Sequence, residues 1–186
     1  MLIPIALMAC ISAHADSINA RIDSSGQDYQ GNLAINQAAG VLQQQVNSRA
    51  LSVGGHGMST TTIVQVQENL PHVTSPLDTQ ASISGNSFSN GRGIVGVNQA
   101  AGIANQQINS TRVVLIAVPE SLDDSVLAQS VTRSNDPIST APMPGGERHV
   151  DISNEAFAGS RGVVQVNQSA GIGNRTANQI SIRVVD

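Results

Sequence analysis

The sequence predicts an all-β fold in which three imperfect repeats stack as parallel β-solenoid or cross-β layers, joined by irregular linkers. Three observations predict it. One motif occurs three times, each copy alternates with the period of a β-strand, and the motif is rich in neutral amides. Only 12% of the 186 residues are charged and 2% are aromatic. Large aromatic side chains therefore cannot build the core, and stacking has to replace them.

The three copies align without a gap. They read GNLAINQAAGVLQQQVN at 31–47, GIVGVNQAAGIANQQIN at 93–109 and GVVQVNQSAGIGNRTAN at 162–178. Arg175 is the one charged residue among them, and a β-prone tail follows each copy. A unit of this kind cannot bury both of its flat sides alone, so it is expected to stack on its copies.

The first half of each copy alternates apolar and other residues, which predicts a strand with one apolar face. The predicted core positions are Leu33, Val95 and Val164, and then Ile35, Val97 and Val166. The Ala-Ala-Gly or Ser-Ala-Gly that follows predicts a tight corner, because glycine adopts positive φ without strain. The predicted corner glycines are Gly40, Gly102 and Gly171. A second short strand completes the unit.

In-register stacking explains the amides. An Asn or Gln side chain has both donor and acceptor groups, so it can bond to the layers above and below, whereas a charge would repel its own copy. The predicted columns are Asn36, Asn98 and Asn167; Gln37, Gln99 and Gln168; Gln43, Asn105 and Asn174; and Asn47, Asn109 and Asn178.

The predicted domain organisation follows from the repeats. Repeat 1 covers 16–53, repeat 2 covers 81–118 and repeat 3 covers 150–186, separated by linkers at 54–80 and 119–149. The linkers collect Pro, Gly and Ser, as flexible connections do. Within them, 60–67 predicts a short alternating strand and 121–131 predicts a brief helix.

Residues 1–15 predict a signal peptide, because a short apolar run precedes the small residues Ala13 and Ala15. The alternative is a lipoprotein cleavage box at 7–10, which would leave Cys10 as a lipid anchor. Either interpretation predicts an exported chain. Cleavage after Ala15 would leave it without cysteine and without a disulfide.

The composition excludes several classes of function. A net charge of −4 without a basic cluster argues against nucleic acid as a partner. Outside the signal segment, the histidines His56, His72 and His149 show no metal-ligand spacing, and no phosphate loop or nucleophile elbow is present. The sequence therefore predicts a protein that is not an enzyme and has no cofactor, metal or small-molecule substrate.

No capping sequence is visible beyond repeat 3, and chains with open β-edges and little charge are expected to grow into fibres. Three alternatives stay open: an ordinary Asn/Gln-rich β-domain, a soluble secreted β-solenoid adhesin, and a chaperone that holds fibre subunits apart.

The frame Asn-Gln-Ala-Ala-Gly-x-x-Asn-Gln-Gln-x-Asn, in three copies with variable linkers and an export signal, resembles the Fap functional amyloids of Pseudomonas biofilms. One copy alone would also resemble a curlin repeat. The resemblance implies passage through the periplasm of a Gram-negative cell and an outer-membrane pore, with self-assembly into biofilm matrix fibres on the cell surface. Major subunits of that family tend to be longer and to carry a cysteine pair near the C-terminus. The resemblance therefore implies a minor, nucleating subunit that partners a related major one.

Overall fold

A computed structural model describes residues 16–53, 62–67, 73, 75–116, 129–133 and 145–185. These residues form eleven β-strands and no helix, so none of them forms a helix that could cross a membrane. The strands are β1 (Asp16–Asp23), β2 (Gln30–Val41), β3 (Gln44–Val53), β4 (Ile63–Gln67), β5 (Leu77–Ser84), β6 (Arg92–Ile103), β7 (Gln106–Ile116), β8 (Gln129–Arg133), β9 (Arg148–Ile152), β10 (Arg161–Ile172) and β11 (Arg175–Val185). The predicted signal peptide and Cys10 lie outside the described residues.

The strands form three layers along the chain. Layer 1 contains β1 to β4, layer 2 contains β5 to β8, and layer 3 contains β9 to β11. Equivalent strands pair between layers in sheet 1 (β1-β5-β9), sheet 2 (β2-β6-β10), sheet 3 (β3-β7-β11) and sheet 4 (β4-β8). Every pairing is parallel. The predicted all-β stack of three parallel repeat layers is therefore confirmed.

The layers are in register throughout the repeat frame. Gln30 to Val41 of β2 pair residue by residue with β6, and β6 pairs in the same way with β10. Repeat 2 is therefore the middle layer, and burial follows from that position. Most residues of β6 are buried. Along most of β10 every second residue is buried, and along most of β2 every second residue is only partly buried.

The apolar core lies around sheets 1 and 2. Val95 and Val97 are fully buried there with Ile83 and Phe88, and the Phe88 ring stacks on that of Phe157 at a centroid distance of 5.0 Å. Leu33, Ile35 and Val166 pack against this cluster from the outer layers. Val164 is 39% exposed, in an outer layer whose free side no described strand pairs. Five of the six predicted core residues thus lie in or against the cluster.

The predicted corners differ in position from the turns of the structure. Gly40, Gly102 and Gly171 lie inside β2, β6 and β10, with φ of 102°, 127° and 123°. The chain breaks pairing two residues later, at 42–43, 104–105 and 173–174. Backbone pairing with the neighbouring layers continues through these glycines, so positive φ does not end the strand.

The predicted strand at 60–67 is confirmed as β4 (Ile63–Gln67), which pairs with β8 across the two linkers. The predicted helix at 121–131 is wrong at its end, because 129–131 belong to β8. Pairing with β4 overrides local helix propensity at these residues. Residues 121–128 lie outside the described part of the chain.

Candidate assembly site: the amide columns and the outer layer faces

The structure brings together the first Asn column. The Nδ2 of Asn98 donates to the Oδ1 of Asn36 at 3.0 Å, and the Nδ2 of Asn167 donates to the Oδ1 of Asn98 at 3.0 Å. Each of the two donors also reaches a backbone carbonyl of sheet 3 in the preceding layer, Val46 for Asn98 and Ile108 for Asn167. The column therefore joins neighbouring layers and neighbouring sheets.

The second Asn column faces the first one from sheet 3. The Nδ2 of Asn109 donates to Asn47 Oδ1 and that of Asn178 donates to Asn109 Oδ1, both at 3.1 Å. Within each layer, the Nδ2 of the second column also donates to the Oδ1 of the first column. For Asn109 and Asn98 this distance is 3.0 Å. The two columns form a double ladder that holds sheets 2 and 3 together.

The Gln column joins sheet 2 to sheet 1. The Nε2 of Gln99 donates to Gln37 Oε1, and the Nε2 of Gln168 donates to Gln99 Oε1, both at 2.7 Å. Each Nε2 also donates to a carbonyl of sheet 1 in its own layer: Gln37 to Arg21, Gln99 to Ser82 and Gln168 to Asp151. One amide per layer thus fixes the two sheets against each other.

The fourth predicted column bonds mainly to backbone. The Nε2 of Gln43 donates to the Gly102 carbonyl at 2.7 Å, and the Nδ2 of Asn105 donates to the Gly171 carbonyl at 3.1 Å. The backbone N–H of Asn174 donates to Asn105 Oδ1. These residues lie at the turns between sheets 2 and 3, where they satisfy carbonyls that the turn exposes.

Sequence reasoning missed further amide contacts. Gln106 donates to Gln44 Oε1, and Gln45 donates to Gln107 Oε1, both at 2.9 Å. Gln165, buried in layer 3, accepts from the Thr111 hydroxyl. The Gln44 and Gln45 contacts could have been found, because the same frame positions hold Gln in repeats 1 and 2. Gln165 could not, since its neighbours in the other layers are Ala34 and Gly96.

Two glycines of layer 2, the predicted corner glycine Gly102 and Gly93 at the start of the frame, explain how closely the layers approach. A Cβ atom at Gly102 would overlap the carbonyl of Gly171, and one at Gly93 would overlap the carbonyl of Gly31. Glycine is therefore required at these positions of the middle layer by the neighbouring backbone as well as by positive φ.

Two titratable groups of layer 1 have pKa values below their ordinary ones. Burial lowers the pKa of the Arg49 guanidinium, whose Nη2 donates to the Leu33 carbonyl at 2.8 Å beside Gly96. On the surface of layer 1, a hydrogen bond from Arg21 lowers the pKa of the Asp23 carboxyl, helped by Ser84 and Ser24. No group of three His, Cys, Asp or Glu side chains that could hold a metal ion occurs in the part of the chain that the structure describes.

The outer faces of layers 1 and 3 carry the edges of three parallel sheets. Among the described strands, none pairs with the outer side of β1, β2 and β3 or of β9, β10 and β11. Each edge presents backbone N–H and C=O groups ready to bond to another strand. Fold and site together define a parallel β-solenoid whose described layers leave both ends open for pairing.

Comparison with known proteins shows the family to which the chain belongs. The functional amyloid protein FapB/FapC family matches residues 9–185, so the chain belongs to that family. It is 32% identical over 152 residues to the functional amyloid subunit FapC of Pseudomonas aeruginosa, a match that covers 77% of this chain and 44% of FapC. The matched region thus spans less than half the length of that relative. No solved structure matches the chain.

Proposed function

We propose that this protein is a secreted fibre subunit that assembles by adding the three layers of one copy to the open face of another. The observation that supports this most directly is the agreement of register between three repeats in a single chain, with outer sheet edges that no other described strand pairs. Family membership supports it from outside the structure, since the family is one of functional amyloid proteins.

The contacts supply a reason why addition is favourable. A further copy would extend sheets 1, 2 and 3 and would cover an outer layer as completely as layer 2 is covered. Asn98, Gln99 and Asn109 show the result, since at most 1% of each is exposed. Each net hydrogen bond contributes about 0.5–1.5 kcal/mol, and the amide–amide bonds themselves involve no charged group.

Thioflavin binding and fibre diffraction of the purified chain test this function. We expect fluorescence to rise after a lag, with reflections near 4.7–4.8 Å along the fibre and near 10 Å across it. A soluble β-solenoid adhesin or a chaperone would remain monomeric and would unfold cooperatively without the lag phase. A chain that stays monomeric and thioflavin-negative at all concentrations tested would exclude the fibre function.

We further propose a minor, nucleating role beside a longer major subunit, after secretion through the periplasm and an outer-membrane pore into the biofilm matrix. The ordered three-layer unit supports this, because a chain that already holds three layers removes the ordering cost of the first ones. Preformed seeds of this chain, at about one part in a hundred, should abolish the lag of a longer relative that shares the frame. Seeds that leave the lag unchanged would contradict the nucleating role alone.

A further inference from the structure

We propose that the copies join head to tail only, with the outer face of layer 1 against the outer face of layer 3 of the next copy. This inference rests on the proposed fibre function and adds to it the polarity of the joint. It follows from the direction of the amide columns, from the direction of the layer glycines, and from two charges that the joint would bring into one column.

The amide columns each have a fixed direction. In the columns of Asn98, Gln99 and Asn109, every side-chain amide between layers donates toward layer 1. In the turn column the direction is reversed, since Gln43 and Asn105 donate toward layer 3. Repeating the stack by translation would continue all four columns. Joining two like faces would reverse the donor direction at the joint, so none of the four columns could continue through it.

The end groups of the Gln column fit this continuation. Gln168 Oε1 is buried and accepts no hydrogen bond from the described residues, although the equivalent oxygen of Gln99 accepts from Gln168. At the other end, Gln37 Nε2 donates to the Arg21 carbonyl of its own layer. The equivalent Nε2 of Gln99 donates both within its own layer and to Gln37 Oε1 of layer 1. A copy placed head to tail would bring Gln37 to Gln168 of its neighbour, and its Nε2 would donate to this oxygen once the groups that cover it in the single chain move aside.

The glycines at the start of the frame give the same direction. Cβ atoms at Gly162 and Gly93 would overlap the carbonyls of Gly93 and Gly31, respectively, so both positions face the layer before them. A Cβ at Gly31 would meet nothing within 4 Å. Gly31 therefore has the open site that a carbonyl of Gly162 from another copy would fill, and it has this site on the layer 1 face.

The charges at the two faces are complementary in the same register. Arg21, Ser82 and Asp151 occupy one column of sheet 1. Within one chain, Ser82 separates the two charged residues by a whole layer. A head-to-tail joint would place Asp151 of one copy next to Arg21 of the following copy, in the register that Ser82 already shows with each of them.

Thiol cross-linking tests the polarity. The R21C and D151C variants are made separately in the full chain, each with C10S so that the new thiol is unique, and are assembled as an equal mixture. Head-to-tail joints bring positions 21 and 151 to about 4.8 Å, while like positions stay three layers, about 14 Å, apart. A short bifunctional thiol reagent should then give mainly mixed 21–151 cross-links, identified by peptide mass spectrometry.

The matched control is the R21C/S82C pair in one chain, because these residues are in adjacent layers of every copy. This variant should cross-link within the chain, which shows that the reagent spans one layer. Thioflavin-positive fibres that give 21–21 and 151–151 cross-links, or none while the control reacts, would overturn the polarity and leave the fibre function standing. A chain that forms no fibres would overturn both proposals.

Discussion

At the scale of single residues, neutral amides do what no charged side chain could do in the same place. The Nδ2 of Asn98 donates to Asn36 and to the Val46 carbonyl, and its Oδ1 accepts from Asn109 and Asn167. An amide has two donor hydrogens and two acceptor lone pairs, so Asn98 uses its full capacity while it is completely buried. Loss of either N–H leaves a neighbour unpaired, which costs about 1–3 kcal/mol.

Asn98→Asp should therefore slow fibre formation at pH 7, by about tenfold or more if one buried acceptor loses its donor. Burial raises the pKa of the introduced carboxyl, so the neutral form returns as the pH falls and the penalty becomes smaller. Thioflavin kinetics at pH 7 and pH 3 measure both effects, each relative to the unsubstituted chain. Asn86→Asp, in an exposed turn of the same layer, is the control and should change little. Equal slowing of Asn98→Asp at both pH values would contradict this explanation.

Large and small residues also compensate each other between layers. The ring of Tyr29, in layer 1, occupies the space that a Cβ at Gly91 of layer 2 would need. Phe88 of layer 2 lies in the same way against Gly26 of layer 1, whereas Phe88 and Phe157 stack ring on ring. Layers 1 and 2 thus interlock by shape at the turn before the frame.

This interlocking predicts a coupled pair of substitutions. Gly91→Ala should destabilise the chain by about 1–3 kcal/mol, because the added methyl group forces the Tyr29 ring to move. In a Tyr29→Ala background the same change should cost much less, since the space is then free. Denaturant unfolding of freshly prepared chains gives the four free energies of the cycle. Additive effects would show that the ring and the glycine do not compete for this space.

At the scale of elements, the repeat frame predicts most of what the structure contains. Because Asn and Gln recur at fixed offsets, the sequence alone puts Asn36, Asn98 and Asn167 at one level of the stack, and the register agrees. The position of the turns was harder to predict from the sequence. Gly40 suggests a corner, yet pairing with Gly102 carries the strand onward to Val41.

Non-local pairing also limits prediction in the linkers. Nothing within 121–131 shows that 129–131 will pair with a strand more than sixty residues earlier, so helix signals dominate the local pattern. Likewise, Gly26 and Tyr29 cannot be assigned to their partners from spacing, because the turn in repeat 1 is one residue shorter than in repeat 2. Which residues these positions contact is decided by the layer stacked against them, and the local sequence does not show it.

The pairing of β4 with β8 predicts a pattern of proteolysis. Where they lie outside the paired strands β4, β5, β8 and β9, the Pro-, Gly- and Ser-rich linkers at 54–80 and 119–149 should be cut before the repeats in assembled material. Cleavage within Ile63–Gln67 should be slower than on either side of it, because its backbone is paired and Gln65 and Gln67 are buried. Time-resolved mass spectrometry of the fragments measures this. Early cleavage inside 93–109 would contradict the place of repeat 2 in the core.

At the scale of the whole molecule, one chain is a short piece of a stack. Its middle layer already has the environment that every layer of a fibre would have, and its outer layers have sheet edges that none of the described strands pairs. The same sheets hold the chain together and would hold copies together, so folding and assembly use one set of contacts. The chain would therefore advance the fibre by three layers for each copy added.

The mass per unit length of a single protofilament tests this claim most directly. A chain of 19.2 kDa that contributes three layers of about 4.8 Å each occupies about 14 Å of the axis, which gives about 1.3 kDa per Å for the full-length chain. Scanning transmission electron microscopy of unstained fibres should give this value, reduced in proportion if residues 1–15 have been removed. A value near 4 kDa per Å, which corresponds to one layer per chain, would contradict the three-layer stack.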